Sequence, residues 1–179
     1  AQPEHRPPRR RFVARGGQVI GLITVADPIK PTAARAIAGL AALNVGSVMI
    51  TGDAERTARS VAGVIGITDL RAGVLPEGKA AVIAELGAGT VFVGDGINDA
   101  PALAAADVGI AMGTGTDVAI EAGDVVLMTG DPLGVVNAVA LSRAVMRNIR
   151  QNLLWAFGYN AALIPVAAGV LVPFGGPQM

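Results

Sequence analysis

Residues 94–103 read GDGINDAPAL and directly follow a short apolar run. An apolar run that ends in a glycine turn is typical of a sheet strand followed by a helix. Asp95 and Asp99 lie four residues apart across this turn, so both carboxylates can converge on one Mg²⁺, a hard cation that prefers oxygen ligands. Gly94 and Gly96 let the backbone bend sharply and let a phosphate approach. The segment predicts a strand end that holds a metal ion and a phosphate; the simpler alternative is a helix capped by Asp99.

Short apolar runs alternate with helical patterns along most of the chain. This alternation is typical of βαβ units, in which helices cover both faces of a parallel sheet. The predicted strands cover residues 19–26, 47–51, 90–94, 108–112 and 125–128, and the predicted helices lie near residues 31–43, 55–65, 76–86 and 100–106. The fold class is therefore α/β with a Rossmann-like parallel sheet, and ligands are expected at the carboxyl ends of its strands.

Two further segments place polar groups near that edge of the sheet. Thr51, Gly52 and Asp53 follow a predicted strand and offer a hydroxyl and a backbone N–H, the donors that hold phosphoryl oxygens during transfer. Lys79 lies in the first turn of a predicted helix, in a chain whose only other lysine is Lys30, and is a candidate for neutralising a phosphate. The alternatives are an ordinary turn and an ordinary surface lysine.

The composition excludes several classes of function. The 179 residues suffice for one domain with a core, only 16% of them are charged, and the formal net charge is zero. A chain of this charge has neither the basic surface of a nucleic-acid-binding protein nor an acidic tail, so no nucleic-acid partner is expected. Because cysteine is absent, disulfides, thiolate metal sites and a cysteine nucleophile are excluded.

The two ends of the chain differ from the middle. Residues 1–17 begin AQPEHRPPRR and are predicted to be a disordered leader or the remnant of a truncation. Residues 18–131 hold the predicted sheet. A linking helix is predicted at residues 132–150, with Asp131 as its cap and Pro132 in its first turn.

Residues 151–175 are predicted to form a transmembrane helix. They contain no charged side chain, and at about 1.5 Å per residue a helix of this length spans the roughly 30 Å of a bilayer's hydrocarbon core. Arg143, Arg147 and Arg150 precede it on one helix face, so the positive-inside rule places the sheet domain in the cytoplasm. The alternative is a buried core helix.

Five motifs together resemble P-type ATPases of the haloacid dehalogenase-like superfamily. They are DPIKP at residues 27–31, TGD at 51–53, PEGK at 76–79, GDGINDAPAL at 94–103 and GIAMGTGTDVAIEAGDVVLM at 109–128. The match covers about residues 19–171. It implies part of a phosphorylation domain followed by a transmembrane helix, with Mg²⁺ as cofactor, ATP as substrate, membrane lipid around the helix, and a location in the cell inner or plasma membrane.

The resemblance also implies roles for individual residues. Asp95 corresponds to the residue that binds Mg²⁺, and Asn98 and Asp99 support its loop. Thr51 and Lys79 correspond to residues that contact the phosphoryl group. The implied phosphate- or nucleotide-binding positions are Gly52, Asp53, Gly94 and Gly96.

One component of the family's chemistry is missing from this sequence. The family forms an aspartyl phosphate on a segment such as Asp-Lys-Thr-Gly-Thr, which does not occur here. We therefore expect a fragment that has no ATPase activity alone and needs the remainder of the pump. Two alternatives stay open: a stand-alone phosphatase of the same superfamily with Asp27 as nucleophile, and a membrane-tethered regulatory module that binds Mg²⁺ and phosphate.

The predicted transmembrane segment indicates the subfamily. Tyr159 and Asn160 resemble the Tyr-Asn pair of Cu⁺ exporters and are candidate contacts for the transported ion. Asn160 in mid-bilayer needs a polar partner, so it is a functional candidate by default. The alternative is that Asn160 bonds a neighbouring helix and Tyr159 only packs. The family's Cys-Pro-Cys segment is absent, so this chain alone cannot hold a complete transport site.

Overall fold

The computed structural model describes residues 9–25, 28–113 and 116–168. The chain divides into two compact units, residues 1–137 and 138–179. The strands are β1 Arg9–Arg15, β2 Gln18–Val25, β3 Val48–Ile50, β4 Asp69–Arg71, β5 Val91–Gly94, β6 Val108–Met112 and β7 Val125–Leu127. The helices are α1 Ala33–Ala42, α2 Glu55–Ile65, α3 Pro76–Leu86, α4 Ala100–Ala105, α5 Asp117–Ala122 and α6 Leu133–Ala167, and a 3₁₀ turn covers Ile97–Asp99.

Parallel strands form the framework of the first unit. β6 lies between β5 and β7 and pairs with both in parallel, while β3 pairs in parallel with β4. Ile110, Ala111 and Met112 of β6 are buried, as a central strand covered on both faces requires. The predicted α/β class with a parallel sheet is therefore confirmed.

A core in which alanines are combined with larger apolar residues brings α4 and β6 close together. The buried cluster consists of Ile83, Phe92, Ala102, Leu103, Ala111 and Ala119. A Cβ on Gly109 would lie 2.6 Å from the carbonyl oxygen of Leu103, so only glycine permits this approach of helix to strand. Ile50, the last residue of β3, packs against the same cluster. β3 and β5 therefore contribute to one core.

The first two strands correct the prediction for the start of the chain. Arg9–Arg15, assigned above to a disordered leader, forms β1, while residues 1–8 lie outside the described part. β1 pairs with β2 antiparallel, and within the described residues β2 has no parallel partner, in contrast to the predicted parallel sheet. Gly16 and Gly17, with φ of 59° and 82°, make the two-residue turn that antiparallel hairpins favour.

Helices α2 and α3 have the predicted bounds, whereas β4 and α5 were not predicted. β4 is three residues long and carries Asp69 and Arg71, so it lacks the apolar run that marks a strand. α5 is six residues long, too short for a helical period to stand out.

In the second unit, residues 138–179, the structure describes α6 as far as Ala167 and then residue 168. Large apolar side chains along it are exposed, among them Leu154 at 72% and Trp155 at 64%. Among the residues described, no helix has both the length and the apolar character needed to cross a membrane. Residues 169–175 of the predicted transmembrane helix lie outside the described part.

Candidate functional site

The loop after β5 is built around the carboxylate of Asp99. Its Oδ2 accepts hydrogen bonds from the backbone N–H groups of Asp95 (3.4 Å) and Gly96 (3.3 Å), which closes the turn. A Cβ on Gly94 would lie 2.7 Å from Cβ of Asp99, so the strand must end in glycine for Asp99 to fit. The side chains of Asp95 and Asn98 remain exposed. This arrangement commits Asp99 to the loop and leaves the carboxylate of Asp95 accessible.

Lys79 of α3 is joined to the same carboxylate. Its Nζ donates to Oδ1 of Asp99 at 2.5 Å, and the two side chains are only 15% and 14% exposed. A charge pair so largely removed from water is costly to break, because the remaining charge is left without compensation. The predicted site residues Lys79 and Asp99, twenty positions apart in sequence, are thus in direct contact.

The loop after β3 is held mainly by backbone hydrogen bonds. The N–H of Thr51 donates to the carbonyl oxygen of Arg71 (2.9 Å), and the N–H of Val74 donates to the carbonyl oxygen of Thr51 (3.0 Å). The N–H of Asp53 donates to the hydroxyl oxygen of Thr51 at 3.1 Å. A Cβ on Gly52 would lie 3.3 Å from the carbonyl oxygen of Val74. The loop is therefore fixed to the segment that leads into α3.

Helix α3 connects the two loops. Val74, two residues before α3 begins, bonds to Thr51, and Lys79 in the first turns of the same helix bonds to Asp99. The structure thus brings Lys79 and Asp99 together directly and joins the Thr51 loop to them through this short segment.

The loop at residues 94–99 suits an Mg²⁺ ion that takes one carboxylate ligand from the protein and its other ligands from water and phosphate oxygens. Within the described residues, no three acidic, histidine or cysteine side chains are grouped so as to hold a metal ion. Mg²⁺ is commonly bound by one or two carboxylates, with water and phosphate oxygens completing six ligands. Asp95 is the exposed carboxylate that fits this role. The prediction that Asp99 is a second ligand stays a prediction.

Thr116 belongs to this region and was not predicted as a site residue. Its N–H donates to the carbonyl oxygen of Asp95 at 3.0 Å, and its hydroxyl oxygen accepts from the N–H of Ala119 at 3.4 Å, which caps α5. The sequence feature that could have indicated Thr116 is the repeated Gly-Thr pair in GTGTD at residues 113–117. Two of its residues, 114 and 115, lie outside the described part.

Asp131 caps α6, as predicted. Its Oδ1 accepts from the N–H of Leu133 at 3.0 Å and from the hydroxyl of Thr32, just before α1, at 2.7 Å. These hydrogen bonds, first that of Leu133 and then that of Thr32, lower the pKa of Asp131, and the positive charges of Arg35 and Lys30 lower it further. We call the pair Thr32 and Asp131 the clasp, because it ties the beginnings of α1 and α6 together.

The candidate contacts for a transported ion lie in the second unit. Tyr159 is exposed, and Nδ2 of Asn160 donates to the carbonyl oxygen of Ala156, one turn earlier in the same helix, at 3.0 Å. Their role as contacts for the ion stays a prediction. Asp27, the nucleophile of the phosphatase alternative, lies outside the described residues.

With this fold and site, the chain belongs to the haloacid dehalogenase-like hydrolase family, which it matches over residues 2–107; residues 87–139 match a second family of the same description. It is 59% identical to a copper-transporting P-type ATPase of Rhizobium leguminosarum bv. viciae and 55% identical to copper-transporting ATPase 1 of Rhizobium meliloti (strain 1021), in each case over 92% of this chain and 20% of the relative. The structure of a zinc-transporting PIB-type ATPase in the E2.Pi state matches 90% of this chain and 27% of its own, with a TM-score of 0.80 and 42% identity.

The resemblance to heavy-metal P-type ATPases is thereby confirmed. The chain spans about a fifth of the length of the curated relatives it matches, 20% for both Rhizobium proteins.

Proposed function

We propose that residues 18–131 are the part of a heavy-metal P-type ATPase phosphorylation domain that positions Mg²⁺ and the phosphoryl group. In the whole pump, this domain would couple ATP hydrolysis through an aspartyl phosphate to the movement of Cu⁺ across a membrane. The observation that carries the proposal is the largely buried pair of Lys79 and Asp99 beside the exposed carboxylate of Asp95. A cation and a free carboxylate at one strand end match the requirements of phosphoryl transfer.

Each residue of the site has a defined task in this proposal. Asp95 would hold Mg²⁺, which when bound supplies positive charge to the phosphoryl oxygens. Asp99 keeps the ammonium group of Lys79 at the loop, so that this charge is already oriented before a phosphate arrives. The hydroxyl and amide groups of Thr51 and Gly52 would donate to the remaining oxygens.

The chain alone is proposed to be inactive, because its sequence has no Asp-Lys-Thr-Gly-Thr segment to carry the phosphoryl group. No labelled phosphoenzyme should form when the chain is incubated with ATP and Mg²⁺. Hydrolysis of p-nitrophenyl phosphate that depends on Mg²⁺ and is lost in Asp27→Asn would instead favour the stand-alone phosphatase.

The membrane part of the proposal concerns residues 151–175. We propose that α6 continues through them as a transmembrane helix surrounded by lipid, with the sheet unit on the cytoplasmic side. Copper is proposed as cargo because the Rhizobium relatives are named as copper transporters, although the solved relative is named as a zinc transporter. Tyr159 and Asn160 are the residues proposed to contact the ion.

The site is tested by calorimetric titration of the chain with inorganic phosphate, with and without Mg²⁺. Binding that requires Mg²⁺ is expected for the native sequence. Asp95→Asn is expected to weaken it by at least about tenfold, the loss of one charged ligand interaction of about 1.5 kcal/mol. Glu85→Gln is the matched control, because it removes an exposed carboxylate at the far end of α3. Equal affinities for Asp95→Asn and the native chain would contradict the proposal.

A further inference from the structure

The charges of the second unit are of one sign. From residue 132 to the end, the sequence contains three arginines, Arg143, Arg147 and Arg150, and no aspartate, glutamate or lysine. By contrast, acidic and basic side chains are mixed in the sheet unit, where Glu55 pairs with Arg59 and Asp69 with Arg71. Residues 138–179 therefore carry positive charges and contain no aspartate or glutamate.

The three arginines share one face of α6. Residues four and three positions apart on an α-helix lie on the same side, so positions 143, 147 and 150 form a stripe, which we call the arginine stripe. Arg147 and Arg150 are exposed. A flat anionic surface laid along this face can contact the exposed guanidinium groups of Arg147 and Arg150 together.

An apolar band follows the stripe directly. Leu153, Leu154 and Trp155 are 54%, 72% and 64% exposed and begin three residues after Arg150, about 5 Å further along the helix axis. Basic side chains followed by tryptophan and leucine are typical of a helix at the level of lipid headgroups, where the charges face phosphates and the ring lies at the interface. Neither a nucleic acid nor an acidic peptide explains the exposed apolar band.

We infer that the arginine stripe, through Arg147 and Arg150, binds the headgroups of anionic phospholipids at the bilayer surface. The inference rests on the proposed membrane location and adds the chemical class of lipid. The guanidinium groups donate to headgroup phosphates in a fixed planar geometry, while the adjacent apolar band enters the acyl region. Each arginine near an anionic leaflet raises partitioning by about fivefold.

The test is vesicle binding by the full chain. Phosphatidylcholine vesicles are compared with vesicles of phosphatidylcholine and phosphatidylglycerol, and bound protein is measured by cosedimentation. The native chain is expected to prefer the mixed vesicles. Arg147→Gln/Arg150→Gln is expected to lower this preference by about ten- to thirtyfold, at about fivefold per charge, without changing binding to neutral vesicles. Inorganic phosphate at matched ionic strength is expected not to compete.

The matched control is Arg56→Gln/Arg59→Gln, which removes the same charge from exposed positions of α2 in the sheet unit. It is expected to keep the preference. Arg147→Lys/Arg150→Lys should retain most of it, since charge is preserved, and circular dichroism verifies that each variant keeps its helix.

The outcomes separate the two proposals. An unchanged preference in Arg147→Gln/Arg150→Gln, or an equal loss in the α2 control, would overturn the arginine stripe while leaving membrane insertion intact. A native chain that binds neither kind of vesicle would overturn the membrane part of the proposed function together with this inference.

Discussion

The loops that follow β3 and β5 occupy equivalent positions at the ends of parallel strands but are stabilised differently. The loop at Thr51 is held by backbone hydrogen bonds to residues 71–74. The loop at residues 94–99 is held by one side chain, Asp99, which binds Lys79 and two amide groups. A loop fixed by its backbone tolerates changes of side chain, whereas a loop fixed by one carboxylate depends on that residue for both its shape and its charge.

The largest expected effect is that of Asp99→Ala. This change leaves the mostly buried ammonium group of Lys79 and two backbone amides without their acceptor. We expect the free energy of unfolding to fall by about 2–4 kcal/mol, measured by urea denaturation. Asp95→Asn, at an exposed position of the same loop, should change it by less than about 0.5 kcal/mol. Similar losses for the two variants would contradict the conclusion that this loop depends on Asp99.

A second prediction concerns the two glycines of the acidic loop. Gly94→Ala places a Cβ 2.7 Å from Cβ of Asp99, whereas the nearest atom to a Cβ on Gly96 is Oδ2 of Asp99 at 3.6 Å, an ordinary contact. Gly94→Ala should therefore lower the free energy of unfolding by about 1–3 kcal/mol. Gly96→Ala should stay within about 0.5 kcal/mol of the native value. A reversed order of the two variants in thermal denaturation would contradict the geometry.

Changes at Thr51 should have smaller effects. Thr51→Ala removes the hydroxyl that accepts from the N–H of Asp53, while the backbone hydrogen bonds to Arg71 and Val74 remain. We expect a loss of about 0.5–1.5 kcal/mol in urea denaturation. Thr51→Ser retains the hydroxyl and should recover most of it. A loss as large as that of Asp99→Ala would show that this loop also depends on one side chain.

The smallest effect is expected from protonation of the clasp. The pKa of Asp131 is lower in the folded chain than its ordinary value of 3.8. The stabilisation of the fold by the ionised carboxylate is therefore complete above that value and is lost as the pH falls through the folded pKa. The stability of the native chain should therefore fall more steeply below pH 4 than that of Asp131→Asn. Parallel stability curves for the two chains in acid would contradict the assignment.

The sequence predicted the local features of the site well. The strand, glycine turn and short helix at residues 91–105 are observed, because each is determined by neighbouring residues. The direct contact of Lys79 with Asp99 was not predicted: the sequence placed both residues near the phosphate, but no periodicity relates positions twenty residues apart. β1 was missed because its arginines and the Gly16-Gly17 turn were interpreted as a disordered leader.

The packing of the first turn of α6 against α1 determines where the sheet unit can be separated from the rest of the chain. Val135 is buried, and a Cβ on Gly39 of α1 would lie 3.1 Å from a methyl group of Val136. The first turn of α6 therefore packs against α1 and shields part of its surface from water. A recombinant sheet unit that ends at residue 130 would expose this surface of α1 to water and should aggregate, whereas one that ends at residue 137 would keep it covered and should stay in solution.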